Sequence, residues 1–349
     1  MKRMRKSLST LFLLLLLAIV AAGCSSDEGA GGGGEEPNEA ENAETTEGDG
    51  GGEGSAADYP QEPITIVVPA GAGGDTDLNA RTLGKYLEEE LGQPVVISNV
   101  GGAGGTVGAR EVLEADPDGY TGLFFHNSLL LNKILGLVDF SYDDFKLAGI
   151  AILDHGNTFM VNGESQFEDL QDMIEYAREN PGQVSIATEV GGFTHLQLLA
   201  LEQDQGIELN IVDVGGAADK VAALLGGHVD IVPTSLGLVN EYVESGDMRT
   251  LGIMASERVD LMPDVPTFLE QGVESSFEKF FFFGFPRETP DEVVSAFSSA
   301  LEAVINNEAY VEEASGYLVT PTYMGPEEAN KYIEETEAYY AELYESQEQ

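Results

Sequence analysis

Two α/β lobes, each a doubly wound sheet flanked by helices, are what the sequence predicts, on three observations. Short apolar runs alternate with helical patterns from residue 64 to residue 125, and a second series of the same kind begins near Phe159. Both series pass from strand to helix through glycine-rich turns, the order expected of parallel sheets with crossover helices.

The chain opens with Lys2, Arg3, Arg5 and Lys6, then an apolar run from Leu11 to Ala22 that ends in small residues and Cys24. This is the pattern of an export signal, and the run falls short of the ~20 residues a membrane span needs. The stretch "AAGC" resembles the bacterial lipobox, which implies removal of residues 1–23, lipidation of Cys24 and residence at the outer face of a cell membrane. Cys24 is the only cysteine, so no intrachain disulfide forms. Residues 25–58 carry 11 acidic residues and no basic one, and they read as a solvated, disordered tether.

The acidity continues beyond the tether. The whole chain has a formal net charge of -46, and the body from Tyr59 onward keeps 51 acids against 12 bases. That excess excludes nucleic acid as a partner and fits a surface adapted to strong salt or alkaline surroundings.

In the first lobe, "ITIVVPA" is a strand and "GAGGDTDLNARTLGKYL" a glycine turn opening a helix with Ala80, Leu83, Leu87 and Leu91 on one face. "QPVVISNV", a second glycine turn with its helix, and "YTGLFF" complete a strand–helix–strand–helix–strand unit. In the second lobe, "FEDLQDMIEYARENPG" is a helix with a Pro-Gly stop. "QVSIATEVGGFTHLQLLALEQDQG" and "LNIVDVGGAADKVAALLGGHVDIVP" each give a strand, turn and helix, and "RTLGIMA" adds a strand. The end of the chain returns to helices. Thr289 is expected to cap one of them, with Pro290 at its first helical position and Glu292 completing a capping box. The tyrosines of the last helix are expected to pack on the first lobe. Lobe 1 is assigned to residues 59–158 and 281–349 and lobe 2 to residues 159–280, so two crossings make a hinge.

The turns do not carry nucleotide or catalytic signatures. "GAGGDT" and "GAGGTV" lack the last glycine of a dinucleotide fingerprint, and no phosphate-binding P-loop is present. His126, His155, His195 and His228 show no metal spacing, and no nucleophile elbow occurs. The reading is therefore of a protein with no catalytic residues, metal or cofactor. A glycine loop at a helix N-terminus presents unpaired N–H groups and the positive end of the helix dipole, which favour a carboxylate. Gly73 and Gly74 allow close approach of a ligand and Thr76 adds a hydroxyl; Gly191, Gly192 and Thr194, before His195, repeat the arrangement. Asp75 and Asp77 are expected to cap their helix, with Asp77 also facing an amine, hydroxyl or water on the ligand.

"YPQEPITIVVPAGAGGDTDLNARTLGKYLEEELGQPVVISNVGGAGGTVGAREVLEADPDGYT" resembles the opening of the substrate-binding proteins of tripartite tricarboxylate transporters, the Bug family. "YDDFKLAGI", "ALLGGHVDI", "GDMRTLGIMASER" and "PDVPTFLEQG" extend the resemblance over residues 59–345. It implies a two-lobed, periplasmic-binding-protein-like fold of type II (Venus flytrap), working as a monomer. Such a receptor closes on a small carboxylate and delivers it to two integral membrane permease subunits. It also implies that the ligand lies between the loop Ala70 to Asp77, which includes Ala72, and the loop Thr188 to His195. Asn127, Ser128, Thr234 and Ser235 are implied as cleft walls. Two departures bear on the ligand: Val214 and Gly215 stand where many relatives have an aromatic and a basic residue, and Ala72 stands where relatives often have proline. A sensory receptor using the same cleft for signalling is the alternative reading.

Overall fold

The computed structural model describes residues 59–274 and 277–347. The export signal, Cys24 and the acidic tether lie outside the described residues.

The first unit forms as the apolar periodicity dictates. Strand β1 (Ile64–Val68) leads through the glycine turn to α1 (Asp75–Leu91), and β2 (Val95–Asn99) lies parallel to β1 with Ile66 opposite Ile97. Then come α2 (Thr106–Leu113) and β3 (Thr121–His126), which pairs with the other edge of β1, also in parallel. Helix α3 (Ser128–Ile134) follows directly, and the long β4 (Phe145–Asp154) ends the unit.

The second sheet begins at β5 (Asn157–Asn162), two residues beyond β4. It is built from α4 (Leu170–Glu179), β6 (Ser185–Thr188), α5 (Phe193–Gln205), β7 (Asn210–Asp213), α6 (Ala217–Leu225), β8 (Ile231–Ser235), α7 (Leu236–Ser245) and β9 (Met248–Ile253). Its strand order is β7-β6-β8-β5-β9, with β6 parallel to both neighbours and β5 antiparallel to β8 and β9. Asn157 and Thr158 therefore pair in this second sheet.

The chain returns through β10 (Lys279–Pro286), so Lys279 and Phe280 pair in the first sheet. Helices α8 (Asp291–Ile305) and α9 (Glu308–Ser315), strand β11 (Thr320–Met324) and helix α10 (Pro326–Gln347) follow. The first sheet thus has the order β11-β4-β10-β3-β1-β2, parallel on one side and antiparallel on the other. Both sheets are mixed because each lobe takes in a strand that arrives from the other.

Strand β10, "KFFFFGFP", is buried along its whole length, as a strand covered on both faces must be. Alternation sends Phe281, Phe283 and Phe285 to one side of the sheet with Phe124 and Phe297. Phe280 and Phe282 go to the other side with Phe125. Each such ring contributes roughly 1.5–3 kcal/mol by leaving water, which makes this strand the spine of the first lobe.

Two local expectations are corrected. Pro290, not Thr289, is the residue preceding α8, and no side chain caps that helix. The Thr289 hydroxyl is buried without a partner while its carbonyl accepts from Lys146, so the capping box does not form. The tyrosines of α10 also do more than pack on the first lobe. Tyr332 sits edge-on to Phe280 there, but Tyr340 lies against Phe193 of α5 in the second lobe and against Phe277.

Candidate functional site

A cavity of about 460 Å³ lies between the two sheets, beyond the C-terminal ends of the parallel strands. The N-terminal turns of three helices reach it. Helix α1 brings Gly74, Asp75 and Thr76, α5 brings Gly192, Phe193 and Thr194, and α6 brings Gly216, Ala217 and Lys220. The turns of α1 and α6 nearly touch, since a Cβ on Gly74 would lie 3.5 Å from that of Ala217. No side chain caps α1 or α6, so the N–H groups of their first turns remain to meet a ligand or solvent.

The first turn keeps its shape through Asp77. Gly73 adopts φ +79°, a left-handed conformation open to glycine, and its N–H donates to the Asp77 carboxylate at 2.8 Å. Asp77 also pairs with Arg81 at 2.9 Å. Asp77 thus braces the loop internally, while Gly73 lines a separate surface groove. Asp75 does not cap its helix. It is 8% exposed and forms an ion pair with Lys279, which is 6% exposed. Burial pushes the Asp75 carboxyl up, but the Lys279 ammonium, with help from His126 and Lys220, outweighs it and holds the carboxyl at about 2.

The α5 turn is largely occupied by its own protein. The Gly191 N–H donates to His195 Nδ1 at 3.4 Å, the Gly192 N–H to the Glu189 carbonyl at 2.9 Å, and the Phe193 N–H to Ser128 Oγ at 2.8 Å. What this turn offers the cavity is the Thr194 hydroxyl, held 2.8 Å from the Thr188 hydroxyl. Burial lowers the His195 imidazole, opposed by Asp213.

Of the residues named from sequence, Ala72, Gly74, Asp75, Thr76, Ser128, Gly192, Thr194, Thr234 and Ser235 line the cavity. Gly73, Asp77, Asn127, Thr188, Gly191 and His195 are not in its wall. Asn127 is fully committed elsewhere. Its amide donates to Tyr340 Oη at 2.7 Å and to the Glu278 carbonyl at 2.9 Å, and its oxygen accepts from Phe280 N–H. It ties α3 to β10 and α10.

Sequence reading missed both lysines of the cavity. Lys220 is 5% exposed and donates to Thr194 Oγ1 at 3.4 Å, with no carboxylate among the described residues at ion-pairing distance. Burial holds its ammonium down to about 8; Asp75 and Glu189 push it up and Lys279 pushes it down. One signal was present: Lys220 lies four residues before the buried Leu224, on the inner stripe of α6. Lys279 was visible only as the polar start of an aromatic run.

Beside the lysines, His126 is half-buried, and desolvation together with the Lys279 charge takes its imidazole well below its ordinary value. Its Nδ1 accepts from the Ser128 N–H at 3.3 Å, so the neutral ring carries its proton on Nε2. The Thr234 hydroxyl is buried and has no partner. Glu189 is pushed up by burial, eased by Lys220 and by the Gly104 N–H reaching it from the first lobe. Gly104 has φ +66°, and a Cβ there would meet Asn132 Oδ1 at 2.9 Å and the Gly191 backbone at 3.2 Å. The lobes are therefore in close contact around the cavity.

Two lobes, two crossings and a cavity between the lobes lined by helix N-termini define a solute-binding protein of the two-lobed class. The chain belongs to the tripartite tricarboxylate transporter receptor family: the description "Tripartite tricarboxylate transporter family receptor" matches residues 79–348. It is 30% identical over 284 residues to protein BugT of Bordetella pertussis, covering 80% of this chain and 87% of that one. Among solved structures it is similar to periplasmic binding protein BugD, at 27% identity and a TM-score of 0.77, covering 83% of this chain and 98% of that one. An R. palustris protein solved with adipate has 25% identity and a TM-score of 0.78, with coverage of 83% and 98%. No helix among the described residues is long and apolar enough to cross a membrane.

Proposed function

We propose that this receptor captures a small carboxylate, a di- or tricarboxylate or a related organic acid, between its lobes and hands it to two integral membrane permease subunits. Cys24, lipidated, holds the monomeric body to the outer face of the membrane, and residues 25–58 give it reach. The observation that carries the reading is the cavity wall, in which the uncapped N-termini of α1 and α6 converge on one space between the lobes. Helix N-termini favour anions through unpaired N–H groups and the helix dipole. The adipate held by the R. palustris relative supports a carboxylate in particular. Thr76, Thr194, Ser128, Thr234 and Ser235 supply hydroxyls along the same wall.

A thermal-shift panel of adipate, malate, citrate, glutamate and benzoate tests the proposal. A bound acid at about 100 times its Kd adds ~2.7 kcal/mol of stability, which raises the melting temperature by several degrees. A flat response to every small carboxylate would end this reading.

A further inference from the structure

Several of the main-chain amides expected to grip a carboxylate are already used inside the protein. The Gly73, Gly191, Gly192 and Phe193 N–H groups all have internal acceptors. The cavity wall nevertheless contains an ammonium that no carboxylate among the described residues approaches to ion-pairing distance.

Among the described residues, Lys220 and Lys279 are the buried basic side chains. Lys279 is neutralised by Asp75. Lys220 is as deeply buried, and its polar contact is a neutral hydroxyl, Thr194 Oγ1. An ammonium taken out of water costs several kcal/mol unless an anion compensates it. Four titratable groups face it: Asp75 on α1, Lys279 on β10, Glu189 after β6 and His126 at the end of β3. Asp75 is engaged by Lys279, Glu189 raises Lys220 from beyond ion-pairing distance, and burial with the Lys279 charge takes the His126 imidazole well below its ordinary value. None of them closes on Lys220.

We propose that Lys220 is the specificity-determining counter-ion of this receptor, its ammonium pairing directly with an ionised carboxylate of the bound solute. The inference rests on the receptor reading above and goes past it by making capture depend on one protonated side chain. The Thr194 hydroxyl, already beside Lys220 Nζ, orients that carboxylate. Thr234, whose hydroxyl has no partner in the protein, adds a donor to the same cavity.

Two properties follow. The amide of a bound acid is rejected, because it leaves the buried ammonium unpaired. Affinity also falls as the solution becomes alkaline. The ammonium is held down to about 8, and pairing with a carboxylate raises it. Between those two values the acid must bring a proton with it, and affinity falls about tenfold per pH unit.

The test uses the full chain, with the panel acid giving the largest thermal shift and its amide as probes. Calorimetry at pH 7 and pH 9.5 is run on the wild type, Lys220→Met and Lys220→Arg. The expected result is at least 30-fold weaker binding by Lys220→Met with a ligand-free melting temperature equal to or above that of the wild type. Residual binding by Lys220→Met should be independent of pH over this range. Lys220→Arg, which stays charged, should keep more affinity than Lys220→Met and lose the alkaline fall. Binding by Lys220→Met within threefold of the wild type, or the same pH profile in both, overturns the proposal while leaving the receptor reading intact. If no panel acid shifts the wild type, the receptor reading fails and this inference fails with it.

Discussion

The Phe193 N–H, at the start of a helix in the second lobe, donates to the hydroxyl of Ser128, at the start of a helix in the first, at 2.8 Å. Both groups are buried, and the bond spans the cleft. It joins the two lobes, so under the proposed capture between them it favours the closed form. Ser128→Ala is expected to weaken solute affinity by about 0.5–1.5 kcal/mol, roughly two- to tenfold. Calorimetry reads the loss, and an unchanged affinity would mean that the cleft closes without this bond.

Thr76 and Thr194 line opposite walls of the cavity. Removing either hydroxyl by substitution with alanine should cost about 0.5–1.5 kcal/mol of binding, and more where a buried partner is stranded. Thr194→Ala also removes the oxygen that Lys220 meets, so its effect and that of Lys220→Met should not add. A double-mutant cycle on the acid selected in the thermal panel measures this coupling.

The Asp75–Lys279 pair predicts an acid limit to stability. The Asp75 carboxyl is at about 2 in the fold against an ordinary 3.8. Its contribution is complete above pH 3.8 and is lost as the pH falls toward 2. Asp75→Asn strands the Lys279 ammonium and should destabilise the protein by roughly 3–5 kcal/mol at neutral pH. The gap between variant and wild type should narrow below pH 3.8 in urea titrations.

Asp154 should behave in the opposite sense. Burial pushes its carboxyl up against the pull of Lys279, and Oδ2 is buried without a hydrogen-bond partner while Oδ1 accepts from the Gly156 N–H at 2.9 Å. A carboxyl raised in the fold loses stabilising value as the pH climbs above the ordinary 3.8. Asp154→Asn keeps the Gly156 bond and removes the buried charge. Its melting temperature is expected to exceed that of the wild type at pH 7 and to converge on it near pH 4.

Apolar periodicity and glycine turns made the elements legible. The stripe Ala80, Leu83 and Leu87 placed α1, and "VGGFTHLQLL" placed the turn into α5. The site was legible only where chemistry is local to a turn, as at Thr76 and Thr194. Its charges are joined over long stretches of chain, Asp75 to Lys279 and Lys220 to Thr194, and only the folded topology brings them together. Capping was misread because one residue's options depend on distant competitors. Asp75 has an ammonium to meet, and α8 begins at Asp291, which puts Pro290 rather than Thr289 in the cap position.

Lys279 opens β10 directly opposite Asp154, the last residue of β4, and these two strands carry the chain out of the first lobe and back again. Lys279 also belongs to the cavity wall. The connection between the lobes and the wall of the pocket thus share one piece of backbone, so a solute captured as proposed would sit against the strand that joins the halves. Under the capture proposed above, a partner that senses the angle between the halves would need no contact with the cargo.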